Sequence, residues 1–172
     1  MGGELKRKRI IMLCVLLGWM LLIFLFSAQN STDSASLSSG MLRRLLSLLP
    51  GWDALSPALQ TKRIHALHRL FRKLGHFTEY AVLGAIAAQT MRACFPTVVT
   101  SGKCVRYFLI PACFALLYAV CDEIHQIFVP GRSCEFRDVM IDTSGACLGI
   151  VLLAAAAWLL QRHREKSAAL SN

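Results

Sequence analysis

The sequence predicts an all-α polytopic membrane protein, a four-transmembrane-helix bundle with interfacial amphipathic helices in the first extramembrane loop. Three observations predict it. Hydrophobic residues make up 55% of the 172 and charged residues only 17%, with mean hydropathy +0.51, richer in apolar side chains than a soluble domain whose surface must face water. The apolar residues gather into runs long enough at helical rise to cross a bilayer core of roughly 30 Å. The Lys and Arg residues behind the formal charge of +9 lie beside those runs, as membrane flanks do, and no aromatic-basic motif suggests nucleic acid.

Residues 1–9 form a basic N-terminus ending in "KRKR". Residues 10–26, "IIMLCVLLGWMLLIFLF", carry no charge and form the first span, TM1; the run exceeds the ~7 to 15 apolar residues of a signal peptide, so an uncleaved anchor is expected. Residues 27–61 hold a polar, serine-rich stretch, "SAQNSTDSASLSSG", expected as a water-side linker. An amphipathic helix in the membrane interface follows, with Leu37, Met41, Leu42, Leu45, Leu46, Leu48 and Leu49 near helical spacing.

Residues 62–160 are expected as the core. Lys62 to Leu74 reads as a basic amphipathic helix in the headgroup layer, and TM2 occupies about 77–95. A charged, turn-prone connection runs from Pro96 to Arg106. TM3 spans about 107–129 and TM4 about 139–160, before a basic tail at 161–172. Four crossings put both termini on one side, and the positive-inside rule assigns "KRKR", the Lys103/Arg106 loop and the tail to the cytoplasm.

The parity of these crossings carries the functional inference. Lys73, His76 and Glu79 open the second span, Asp122, Glu123 and Gln126 close the third, and Asp138 and Asp142 open the fourth, so all reach the same membrane face. The turn at Pro130-Gly131 delivers Arg132 and Arg137 to that face. Spacings of three or four residues, as in Lys73/His76/Tyr80, Asp122/Gln126 and Asp138/Asp142, let each set project from one side of its helix. A charge at a helix centre costs at least ~2.5 to 3.5 kcal/mol on insertion scales, so the cluster should face inward and pair Lys73, Arg132 or Arg137 with the acids.

The site residues expected on this basis are Lys73, His76, Asp122, Glu123, Gln126, Arg132 and Asp138, as catalytic or ligand-binding groups. Glu123 or Asp122 would serve as general base, His76 as proton shuttle, and Lys73 and Arg132 as holders of phosphate or carboxylate. The competing reading is an ion-pair network that only ties helices together. His125 projects from another angle and is set aside. No cofactor or metal is expected, since no local ligand spacing supports one. Seven cysteines, several within apolar runs, indicate no disulfide framework. Gly145 and Gly149 form a small-xxx-small pattern suited to close helix packing.

The motifs "FSAQNSTDSASLSSG", "RKLGHFTEYAVLG" and "DEIHQIFVPGRSCEFRDVMIDTSGACLG" occur in an order that resembles the VanZ-like family of bacterial membrane proteins, named for a protein associated with teicoplanin resistance. The resemblance covers about residues 24–150, and its third motif is the specific part. By position the family pattern falls on Lys73, His76, Tyr80, Asp122, Glu123, Gln126, Arg132, Asp138, Gly145 and Gly149. Asp142 departs from it, standing where many relatives carry Asn. The resemblance implies a multi-pass protein of the bacterial plasma membrane, linked in some members to reduced susceptibility to glycopeptide or lipoglycopeptide antibiotics. The partners expected are membrane lipids and the headgroup of an envelope lipid or cell-wall precursor, which the pocket would bind or act on.

Overall fold

The computed structural model of the chain describes residues 2–95 and 104–170. The described residues form five α-helices: α1 (Gly2–Ser27), α2 (Ser31–Leu46), α3 (Pro57–Cys94), α4 (Cys104–Gln126) and α5 (Phe136–Leu170). Three of them, α1, α4 and α5, are long and apolar enough to cross a membrane. Their outward faces carry Leu17, Leu21, Leu117 and Leu152, each more than half exposed, which suits contact with lipid rather than water.

Helix α3 is the hub, packing against all four others. It runs antiparallel to α1: Arg9 donates to the Ala93 carbonyl at one end of the pair and Trp19 Nε1 to the Glu79 carbonyl further along. Tyr118 of α4 donates to the Met20 carbonyl of α1 at 2.6 Å, and Arg92 lies over the Tyr107 ring where α3 ends and α4 begins. Ile23, Tyr80, Leu83, Ala115, Ala119, Val139 and Ala146 form the main core.

The closest helix contact joins α3 to α5, and small residues make it possible. A Cβ on Gly84 would overlap the Ala146 carbonyl; one on Gly145 would overlap that of Phe77, and one on Gly149 that of Ala81. The expected packing role of Gly145 and Gly149 is thus observed, with backbone rather than side chain as the partner.

The structure corrects several expected boundaries. The serine-rich stretch is helical from Ser31, not an irregular linker. Asn30 caps it, its Oδ1 accepting from Asp33 N at 2.8 Å and its Nδ2 donating to the Asp33 carboxylate at 2.9 Å, an N-cap with an acid in the first turn. Ser36, Ser38 and Ser39 then bond carbonyls three or four residues back, which satisfies their hydroxyls inside the helix. This helix stops at Leu46, so Leu48 and Leu49 fall in turns.

Lys62–Leu74 and the segment from residue 77 belong to one unbroken helix of 38 residues, about 57 Å at helical rise, instead of a surface helix followed by a span. The apolar face of its first half is partly covered by protein: Ile64 is buried with Leu42 and Trp52 in a second small core, and Phe71 packs on it. Helix α4 ends at Gln126, and Ile127, Phe128 and Val129 form turns bonded three residues back before Pro130, which cannot continue a helix. The helix of the fourth expected span starts earlier, at Phe136, and continues through the tail to Leu170. Of the connection expected from Pro96 to Arg106, residues 96–103 lie outside the described residues, and 104–106 already belong to α4.

Candidate functional site

The chain turns sharply between α4 and α5. Arg132 N donates to the Val129 carbonyl at 3.1 Å and Gly131 holds φ +74°, the pattern of a type II turn with Pro130 and Gly131 at its centre. Ser31 N donates to the Pro130 carbonyl at 3.2 Å, so the turn is docked on the start of α2.

Arg132 is fixed by the end of α1. Its Nε donates to the Gln29 carbonyl, just past the helix, at 3.2 Å and its Nη2 to the Phe26 carbonyl of the last turn at 3.3 Å, where the helix dipole favours a cation. Its Nη1 is buried and unpartnered. Burial and then the neighbouring positive charge of Arg72 pull the Arg132 guanidinium below its ordinary pKa.

Lys73 Nζ and Asp138 Oδ1 form an ion pair at 2.6 Å, joining α3 to the start of α5. Glu123 accepts from the Glu135 backbone N–H at 2.8 Å, placing a carboxylate just before the N-terminus of α5, where the helix dipole favours it. Gln126 donates to Asp122 at 3.4 Å, the long end of the hydrogen-bond range. Asp122, Glu123 and Gln126 are all buried, each less than 5% exposed.

These groups bound a cleft of about 290 Å³ lined by Lys73, His76, Gln126, Arg132 and Asp138 together with Arg69, Arg72, Arg137 and Glu135. Five of the seven expected site residues therefore share its wall. Asp122 and Glu123 do not line it; Glu123 is committed to the α4–α5 junction. His125 stacks on Phe24 with ring centroids 4.6 Å apart, outside the cleft.

His76 carries a buried, unpartnered Nδ1. Burial, reinforced by Arg132 and Arg72, lowers its pKa from 6.5 to about 4, so the imidazole is neutral at neutral pH. The sequence reading missed Arg69 and Arg72 as site residues, assigning them to a polar helix face. Their spacing with Lys73 and His76 at three and four residues was the available signal. Also missed was the state of Asp142, which is 1% exposed with both carboxylate oxygens unpartnered.

Among the described residues no group of three His, Cys, Asp or Glu side chains could hold a metal ion, and the described cysteines are free thiols. The cleft's charge is unbalanced: five Lys and Arg side chains stand against two carboxylates, and Lys73 with Asp138 is the one ion pair among the described residues.

No curated protein and no solved structure matches the chain. A family model described as VanZ/LLP1 matches residues 12–159, which include every residue lining the cleft, the whole of the apolar stretch Arg106–Gln126 and most of the other two apolar helices. That match and the lipid-suited helices support a membrane protein, and the chain belongs to the VanZ/LLP1 family.

Proposed function

We propose that this chain is a four-span protein of the bacterial plasma membrane, with the second half of α3 as the fourth crossing and both termini cytoplasmic, and that its cleft binds the anionic headgroup of an envelope lipid or cell-wall precursor at the outer face. The single observation that carries this reading is the unbalanced charge of the cleft: Arg69, Arg72, Arg132 and Arg137 face it with Glu135 as the carboxylate not already paired. Guanidiniums match phosphate and carboxylate oxygens in a planar fork. A headgroup held there would alter how glycopeptide antibiotics reach their envelope target, in keeping with the resistance link of the family.

The reading of the cluster as helix glue has less support. A network built to hold helices satisfies its members, whereas Asp142, His76 Nδ1, Tyr80 Oη and Arg132 Nη1 are buried without partners. The α3–α5 contact already rests on Gly84, Gly145 and Gly149.

A catalytic form of the proposal is favoured by one observation, the neutral His76 with a free ring nitrogen beside Arg72 and Arg132. Such an imidazole can take a proton from a nucleophile while guanidiniums hold the charged oxygens. Glycopeptide susceptibility of a host expressing Arg132→Ala, His76→Ala or Glu123→Ala, at matched membrane levels, tests the site. Protection is expected to be lost with Arg132→Ala and His76→Ala; full protection in all three would sink the proposal. Lys73→Arg separates the forms, since an enzyme needing fixed geometry loses its effect and an electrostatic binder keeps most of it.

A further inference from the structure

A second cleft, about 200 Å³, lies between α2 and α3 beside the end of α1; Phe26, Leu37, Met41 and Phe71 give it an apolar wall, and Glu79 also lines it. It shares Arg72, His76 and Arg132 with the basic cleft, so the two meet along one wall. Leu37 and Met41 are about half exposed and leave the apolar cleft open on the α2 side. Gly75 also lines it, and a Cβ there would meet nothing within 4 Å.

The geometry points to one continuous site for a phosphate-headed lipid with a single hydrocarbon chain, its phosphate among Arg69, Arg72 and Arg132 and its chain laid between α2 and α3. This rests on the headgroup reading above and adds the ligand class. The excess of guanidiniums suits a dianion better than a lone carboxylate. Arg132 is already positioned by the Gln29 and Phe26 carbonyls, with Nη1 left to donate, so little ordering of the guanidinium accompanies binding. An apolar cleft that starts at the same arginines can bury the first carbons of a chain attached to that phosphate, and its size suits one chain rather than a glycerolipid's pair.

Native mass spectrometry of the full chain released from phosphatidylcholine nanodiscs tests this, with farnesyl phosphate, farnesol and inorganic phosphate as probes. Farnesyl phosphate is expected to bind more than about tenfold tighter than inorganic phosphate, because the chain adds apolar burial, and more than about tenfold tighter than farnesol, because the phosphate engages the arginines. Gly75→Phe and Met41→Trp, two independent ways of filling the apolar cleft, are expected to remove that advantage while leaving inorganic phosphate binding within about twofold, since neither residue lines the basic cleft. Equal affinity for the two phosphates, or an undiminished advantage in both variants, overturns the single-chain inference and leaves the headgroup reading standing. Binding of neither phosphate overturns both.

Discussion

Replacing Gly131 with alanine attacks the turn that delivers Arg132, and its effect can be worked from the structure. At φ +74° an alanine pays the left-handed strain of roughly 1–2 kcal/mol. Its methyl would also overlap the Ser31 hydroxyl and sit 3.1 Å from Ser31 Cβ; the hydroxyl can rotate away but the Cβ must shift, an overpacking of about 1 kcal/mol. The expected loss is therefore about 2–3 kcal/mol, read as a shift in SDS-induced unfolding of the full chain in mixed micelles by tryptophan fluorescence. Removing the obstruction with Ser31→Gly in the Gly131→Ala background should restore about 1 kcal/mol, with Ser31→Gly alone closing the cycle. Gly131→Asn should cost less than alanine, because Asn tolerates this backbone region. Wild-type stability in Gly131→Ala, or no rescue by Ser31→Gly, would refute the account of the turn.

Other predictions concern the helices and the buried charges. Gly149→Val should destabilise by at least ~3 kcal/mol or prevent accumulation, since its Cβ meets the backbone of Ala81 and the helices must part. By contrast, Gly40→Ala, in the interior of α2 with nothing within 4 Å, should stabilise by about 0.5–1 kcal/mol; the same unfolding assay checks both. Asp142→Asn should not lower the melting temperature at neutral pH, since both oxygens of the buried carboxyl lack partners and the amide keeps its shape, and a lowered value would show that the carboxyl itself is needed. Because the His76 pKa falls from 6.5 unfolded to about 4 folded, the unfolded chain binds the extra proton between those values. Its contribution to stability is present above pH 6.5 and lost as pH falls toward 4; His76→Gln should flatten that slope relative to wild type, and an identical slope would contradict the assignment.

The parts of the fold that follow from local periodicity and crossing parity were legible in the sequence. The apolar runs predict α1, α4 and the first part of α5, and parity expects Lys73 and Asp138 at one face without naming the pair they form at 2.6 Å. The N-cap at Asn30 was present as an Asn followed three residues later by an acid, but the run of serines reads as turn chemistry when their hydroxyls are not yet seen bonding back to helix carbonyls. The role of Glu123 was not legible, because its bond to the Glu135 N–H depends on how α4 and α5 meet across the turn. Arg69 and Arg72 look like any solvated helix face until the loop carrying Arg132 is folded over them. The second cleft was hidden for the same reason, since its wall exists only once α2 is a helix packed on α3.

The central claim is that the cleft holds an anionic headgroup, and its most direct test is phosphorus analysis, by native mass spectrometry, of the full chain extracted from its own membrane in mild detergent. The account predicts a phosphate-headed molecule retained by the wild-type chain and lost in an Arg72→Gln/Arg132→Gln variant whose helical content by circular dichroism is unchanged. A wild-type chain that carries no phosphate-bearing species, or a variant that retains it equally, would contradict the claim.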